Sequence, residues 1–117
     1  MESILTSIKK VLGIYEEDTS FDVDIIMHIN TVFMILRQMG IGPSNGFSIT
    51  GQYEVWNDYL SDISLLESVK TYVALKVRLI FDPPASSTMV EAINRTITEL
   101  EWRLNVQVDY PKSFDVK

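Results

Sequence analysis

Residues 65–84 read LLESVKTYVALKVRLIFDPP, and residues 85–104 continue as ASSTMVEAINRTITELEWRL. On a helical wheel the apolar side chains of the first segment cover an arc of roughly 200°, which predicts a helix over 65–81 with neighbours on two sides. Asp82 precedes Pro83 and Pro84, and a residue before proline avoids the α region, so this helix should end there. Because the connection is short and stiff, the second segment must fold back on the first.

The second segment predicts a helix that starts at Ser86, Ser87 or Thr88, since Thr88 and Glu91 have the spacing of a capping box. Its apolar residues recur at intervals of 3, 4, 3 and 4, a seam typical of antiparallel helix packing at about +20°: Val90, Ile93, Ile97, Leu100 and Leu104. Trp102 lies off this seam.

The first half of the chain adds two helices by the same criterion, one over 4–12 and one from Thr19 or Ser20 to Met39. Residues 41–51 form a long loop with several turn signals, and the alternation over 47–50 allows a short hairpin there. A short helix with Trp56 as its anchor follows. The predicted fold is therefore all-α, a small bundle of four to five helices in a domain over 1–105, with an extended tail over 106–117.

The composition of the chain limits the classes of partner that it is expected to bind. At 117 residues the chain is expected to form one domain, and its net charge is −6, with ten Lys and Arg scattered among sixteen acids. Binding to nucleic acid depends mainly on clustered basic side chains, so we expect neither sequence-specific DNA binding nor attraction to an anionic membrane. The start of the chain does not read as a signal peptide, and no apolar run is long enough to span a bilayer.

No pattern in the chain points to chemistry. There is no cysteine, which excludes disulfides and thiolate sites. The single histidine, His28, has Asp24 four residues earlier, but two ligands do not make a metal site. A histidine at the surface or at its boundary, with or without an i, i+4 pair with Asp24, is the simpler interpretation. Neighbouring acids such as Glu99 and Glu101 are most simply solvated. We therefore predict no catalytic residue, no cofactor and no metal.

Contact surfaces are the remaining candidates. Lys76 falls near the middle of the apolar arc, where it either lays its stem along apolar surface or meets an acid of a neighbouring helix or subunit. Trp102 is a candidate because tryptophan is enriched in interface hot spots. The long loop and the tail are candidates for segments that order on docking, including by strand addition, and their apolar residues complete the set: Phe47, Ile49, Val108 and Tyr110.

Several segments resemble the head–tail connector (adaptor) proteins of tailed phages and prophages of Gram-positive bacteria. They are Trp56-Asn57-Asp58-Tyr59-Leu60, residues 69–84 and the Ser86-Ser87 helix start, with the closest likeness over 72–84. The resemblance spans most of the chain. The residues that match the family's pattern are expected to preserve the fold: Trp56, Tyr72, Asp82, Pro83 and Pro84.

The resemblance implies a non-enzymatic helical subunit of a ring, usually of twelve copies, below the portal vertex of the capsid. Such a ring joins the portal to the stopper or tail-completion protein and lets the genome pass. It implies a place in the neck of the virion, with assembly in the cytoplasm of the bacterial host.

Two other functions remain open from the residues. The seam from Val90 to Leu104 would also suit a small regulator or inhibitor that binds one protein as a monomer or dimer. An enzyme is supported only by His28 and scattered acids.

Overall fold

The computed structural model describes the backbone of residues 2–109 and the side chains of residues 2–107. Its five helices are α1 (Ile4–Leu12), α2 (Asp22–Gln38), α3 (Trp56–Tyr59), α4 (Ile63–Phe81) and α5 (Ser87–Asp109). Between residues 2 and 109 there is no β-strand, only an isolated bridge of Ser3 with Val55. The predicted all-α class is confirmed.

Helix α4 is the centre of the arrangement. It contacts α1, α2 and α5, whereas α5 packs mainly on α4. The ring of Phe21, just before α2, lies 5.5 Å from the ring of Phe81 at the end of α4, so α2 and α4 run in opposite directions. Because α4 has neighbours on two sides, its apolar arc is wide, and Val69, Val73 and Val77 are fully buried.

An aromatic cluster fills the core between α2 and α3. The ring centroid of Phe33 lies 4.5 Å from that of Tyr59 and 5.3 Å from that of Phe47, and Trp56 completes the cluster. The indole N–H of Trp56 donates to Ser7 Oγ at 2.9 Å, so this buried donor has a partner. Trp56 therefore fixes the short helix α3 against α1.

Side chains cap three of the helices. Ser3 Oγ accepts from the Thr6 N–H, Asp62 Oδ1 from the Ser64 N–H and Ser86 Oγ from the Met89 N–H. These bonds satisfy N–H groups that have no partner within the helix. The Asp62 cap starts α4 two residues before the predicted position, and Ser86 rather than Thr88 caps α5.

The predicted start of α2 at Thr19 or Ser20 is wrong. The helix begins after Phe21, which provides no side-chain cap. The Ser20 hydroxyl and N–H both donate to Asp18 Oδ1, so this serine stabilises the preceding turn instead. A local side-chain bond competes here with helix capping, as it commonly does for serine next to aspartate.

Lys9 fixes the connection between α1 and α2 from the inside. Its side chain is 3% exposed, and Nζ lies 2.9 Å from Asp22 Oδ1. The same ammonium donates to the carbonyl oxygens of Asp18 at 2.7 Å and Glu16 at 3.0 Å. A buried charge is stable only when it is paired and hydrogen-bonded, and here the ammonium has two carbonyl acceptors and a carboxylate at ion-pair distance.

The loop between α2 and α3 contains no hairpin, so this part of the prediction is wrong. The Asn30 side chain of α2 accepts from the Ile49 N–H at 2.8 Å and donates to the Ile49 carbonyl at 3.0 Å. The amide thus takes the place of a neighbouring strand. Gly42 has φ +91°, and a Cβ there would lie 2.6 Å from the Tyr59 ring, so the turn requires glycine.

Helix α5 is longer than predicted. It continues to Asp109, so residues 106–109 are helical where an extended segment was expected. The weak alternation of Val106 and Val108 favours an extended segment. However, a helix that is already formed gains one hydrogen bond for each residue that it adds, so its extension is easier than its start. Residues 110–117 of the expected tail lie outside the described residues, and the division into a domain and a tail stays a prediction.

Candidate protein-interaction surfaces

The most exposed large apolar side chain described on α5 is Trp102, which is 65% exposed. Ile97 and Leu104 of the seam face α4 and are buried. Trp102 is five residues after Ile97, which places it about 140° around the helix from the seam. Its indole therefore lies away from the buried seam.

Charged side chains occur at every fourth residue along this face of α5 and alternate in sign: Glu91, Arg95, Glu99 and Arg103. Arg103 Nη2 lies 2.8 Å from Glu99 Oε2. An exposed pair of this kind stabilises a helix by only about 0.3–0.5 kcal/mol. Its main consequence is to hold a positive and a negative group in a fixed order beside Trp102.

Two shallow depressions flank Trp102, which forms the ridge between them. One is lined by Asn94, Arg95, Thr98 and Glu99 of α5. The other lies between α5 and the first half of α4, with Ser64 and Ser68 among its lining residues. Trp102 is therefore at the level of the first two turns of α4.

A second surface is a groove between α1 and α4, which we call the α1–α4 groove. Trp56 forms part of it, Val11 on its α1 side is nearly half exposed, and Glu67 and Lys70 supply its charges. Lys70 Nζ lies 3.9 Å from Glu67 and 5.9 Å from the centre of a Trp56 ring. The lining is mainly apolar: Ser7, Ile8, Val11, Trp56, Glu67, Lys70, Thr71, Ala74 and Leu75.

The two surfaces lie on opposite sides of α4. Tyr72 faces α5, because its hydroxyl donates to Glu101 Oε2 at 2.8 Å. Ala74, in the α1–α4 groove, is two residues later and so about 200° further around the helix. Burial raises the pKa of Tyr72 above its ordinary value, and its bond to the Glu101 carboxylate adds to this effect.

Lys76 is half-buried on α4 and has its Nζ 5.8 Å from the centre of the Tyr72 ring. The stem lies along apolar surface, and a cation over an aromatic face is attracted by the ring quadrupole. Among the described side chains no acid lies within ion-pair distance of its ammonium. Within one subunit the structure thus favours the role in which the stem of Lys76 lies along apolar surface. That its ammonium meets an acid of a neighbouring subunit stays a prediction.

The loop candidates serve the core instead. Ile49 is 2% exposed, and Phe47 packs its ring against Phe33 and Tyr59. Within one subunit Asn30 holds this segment on α2, and that Phe47 and Ile49 face a partner stays a prediction. Of the tail candidates, Val108 lies in α5 without a described side chain, and Tyr110 lies outside the described residues.

The residues of the family pattern are in structural positions. Trp56 and Tyr72 are buried. Asp82 ends α4, its N–H donating to the Arg78 carbonyl, and Pro83 and Pro84 form the connection to α5. That these residues preserve the fold stays a prediction.

No reactive cluster accompanies these surfaces. Within residues 2–109 no three His, Asp or Glu side chains are grouped as metal ligands. His28 lies against the Phe81 ring, with centroids 6.3 Å apart, and no ion pair joins it to Asp24 among the described side chains. None of the described helices has the length and apolar content needed to cross a membrane.

Sequence reasoning proposes Trp102 as an interface residue, which stays a prediction, and it misses the α1–α4 groove. The groove combines Val11 of α1 with Ala74 of α4, which are far apart in the chain. The only local sign is that Val11 and Leu75 are apolar residues at the margins of their helical stripes. Their exposure depends on how closely the two helices approach, which no periodicity reveals.

One comparison with known proteins gives a match. A family model described as phage connector protein matches residues 4–111, which include all of helices α1 to α5. No curated protein and no solved structure matches the chain.

Proposed function

Since the chain belongs to the phage connector protein family, we propose that it is a structural subunit of the head–tail connector of a tailed phage or prophage. In this proposal, copies of the chain form a ring, which on the family resemblance has twelve members. The ring joins the portal protein to the stopper or tail-completion protein in the neck of the virion. It is assembled in the cytoplasm of a bacterial host, which the resemblance gives as Gram-positive.

The observation that carries this proposal is the large apolar side chain on the outside of α5. Trp102 is 65% exposed on a helix that packs on one side only. Tryptophan is enriched among the residues that contribute most to protein–protein contacts. A subunit that acts by contact needs such surfaces and needs no catalytic residue, cofactor or metal, and we propose none.

The charge of the chain supports passage of DNA through the ring. A net charge of −6 with scattered bases offers little to phosphates, and DNA affinity rises with the number of phosphates that basic groups neutralise. A conduit that does not hold the genome is therefore consistent with this composition. We propose neither sequence-specific DNA binding nor a membrane partner.

Electron microscopy with light scattering tests the proposal on the full chain, alone at high concentration and with the cognate portal protein. We expect rings, or particles in which the chain caps the portal. A chain that stays monomeric at high concentration and does not bind the portal would contradict it. Induction of a prophage that lacks the gene should release filled or leaking heads without attached tails.

The alternative of a regulator that dimerises through the α5 seam has less support. Ile97 and Leu104 of that seam are buried against α4 within one chain, whereas Val90, Ile93 and Leu100 are partly buried. The two most buried positions of the seam are therefore not available to a second protein.

A further inference from the structure

We infer that Trp102 of one subunit inserts into the α1–α4 groove of the next copy, so that successive subunits are joined head to tail. This inference rests on the proposed ring and names the two surfaces that would form its repeated contact. A contact between two different surfaces of one chain generates a ring if the rotation closes.

The two surfaces match in shape and polarity. Trp102 is a single apolar ridge between two depressions, and the groove is an open apolar cleft of about 410 Å³. Clefts of ~300–1,000 Å³ accept drug-sized ligands, so this one has room for an indole. The indole would cover Val11, which is nearly half exposed, and the edge of Trp56. Aromatic anchors in such clefts supply much of the free energy of protein association.

The charges beside the two surfaces also match, and they match in order. Helix α5 runs opposite to α4, so Arg103 lies nearer the start of α4 than Glu99 does. In the groove, Glu67 lies nearer the start of α4 than Lys70 does. When copies are related by rotation about an axis parallel to α4, Arg103 therefore meets the Glu67 position of its neighbour, and Glu99 meets the Lys70 position. Such complementarity fixes the register of a contact.

The positions along α4 allow closure into a ring. Trp102 is at the level of Ser64 and Ser68, and the groove runs from Glu67 to Leu75. The two surfaces are on opposite sides of α4 and overlap in height near Glu67 and Ser68, so neighbours can be related by a rotation with a rise that is small beside the 51 Å length of the subunit.

The outward face of α2 is a poorer partner for Trp102. It exposes Val23, Met27 and Met34, which are apolar. However, no Lys, Arg, Asp or Glu occurs between Asp24 and Arg37, so Glu99 and Arg103 would lose water without gaining partners. We therefore assign the groove and not the α2 face.

Cross-linking tests the contact directly, because the chain has no cysteine. The variant with both Thr98→Cys, beside Trp102, and Thr71→Cys, in the groove, keeps the indole in place and is treated with a short bis-maleimide reagent, at high concentration with and without the portal. We expect a series of covalent multimers well beyond the dimer, whereas each single-cysteine variant gives at most dimers. A double variant that stops at dimers, or does not cross-link under either condition, overturns the inference.

Substitutions give the second test. Trp102→Ala should weaken ring association by at least about thirtyfold, the effect of a hot-spot residue, while Met89→Ala on the same helix should leave it unchanged. Arg103→Glu should weaken it less, and Glu67→Arg in the same chain should restore it. Rings that form equally well with Trp102→Ala contradict this contact but leave the connector function standing. If the unmodified chain neither forms rings nor binds the portal, the connector function itself is contradicted.

Discussion

Helices α2 and α5 both lie along α4, but they are held there in different ways. Helix α2 buries five side chains completely or nearly so and is also tied by Asp22 to Lys9 and by Asn30 to Ile49. Helix α5 buries only Ile97 and Leu104 to that degree, and one side-chain hydrogen bond, from Tyr72 to Glu101, joins it to α4. The first arrangement makes a fixed unit, and the second leaves a long outward face available for contact.

The largest effect should come from the buried ammonium that fixes the start of α2. Lys9→Met removes the donor for two carbonyl oxygens and leaves the Asp22 carboxylate without its partner. We expect the free energy of unfolding to fall by about 3–5 kcal/mol, as measured by urea denaturation followed by circular dichroism. Lys10→Met is the matched control, because Lys10 is exposed and pairs only with Glu2. If Lys9→Met lowers the free energy of unfolding no more than Lys10→Met does, the buried ammonium contributes no more to stability than the exposed one.

A direct comparison of the two helices uses one chemical change in each. Ile29→Ala in α2 should cost about 3–5 kcal/mol, because Ile29 is fully enclosed and its surroundings relax little. Ile97→Ala in α5 should cost about 2–3 kcal/mol, since a helix packed on one side can shift to fill the space. Denaturation curves of the two variants decide between these values. A larger loss for Ile97→Ala would show that α5 is as firmly held as α2.

The helices were predictable because their signal is local. The apolar periodicity over 65–104 and the helix end at Asp82-Pro83-Pro84 predict α4, α5 and the turn between them. The same periodicity places Trp102 off the seam. The errors came from contacts across the chain. The alternation over 47–50 resembles a strand, but Asn30, nineteen residues before Ile49, supplies the hydrogen bonds that a strand would have needed. Likewise, nothing near Lys9 in the sequence shows that carbonyls of the next connection surround it.

The amide that holds the loop gives a smaller but specific effect. Asn30→Asp keeps the acceptor for the Ile49 N–H and replaces the donor with an oxygen that faces the Ile49 carbonyl. We expect the free energy of unfolding to fall by about 2 kcal/mol at pH 7, because a buried acceptor loses its partner. Asn94→Asp on the exposed face of α5 is the control and should change stability by less than about 0.5 kcal/mol. Amide hydrogen exchange should show faster exchange of the Ile49 N–H in Asn30→Asp, and unchanged exchange would contradict the role of this bond.

The smallest effect concerns the one side-chain hydrogen bond that joins α5 to α4 among the described side chains. Tyr72→Phe removes the bond to Glu101 and should cost about 1 kcal/mol at pH 8, whereas Tyr53→Phe, at an exposed position, should cost almost nothing. The pKa of Tyr72 is raised in the folded chain, so the neutral phenol stabilises the fold fully below pH ~10. As pH rises further, the unfolded chain releases this proton first, and the contribution is lost. The stability difference between the unmodified chain and Tyr72→Phe should therefore narrow between pH 9 and pH 11 in thermal melts. A difference that stays constant over this range would mean that the attachment of α5 depends on the seam alone, and the contrast with α2 would then be sharper than the structure suggests.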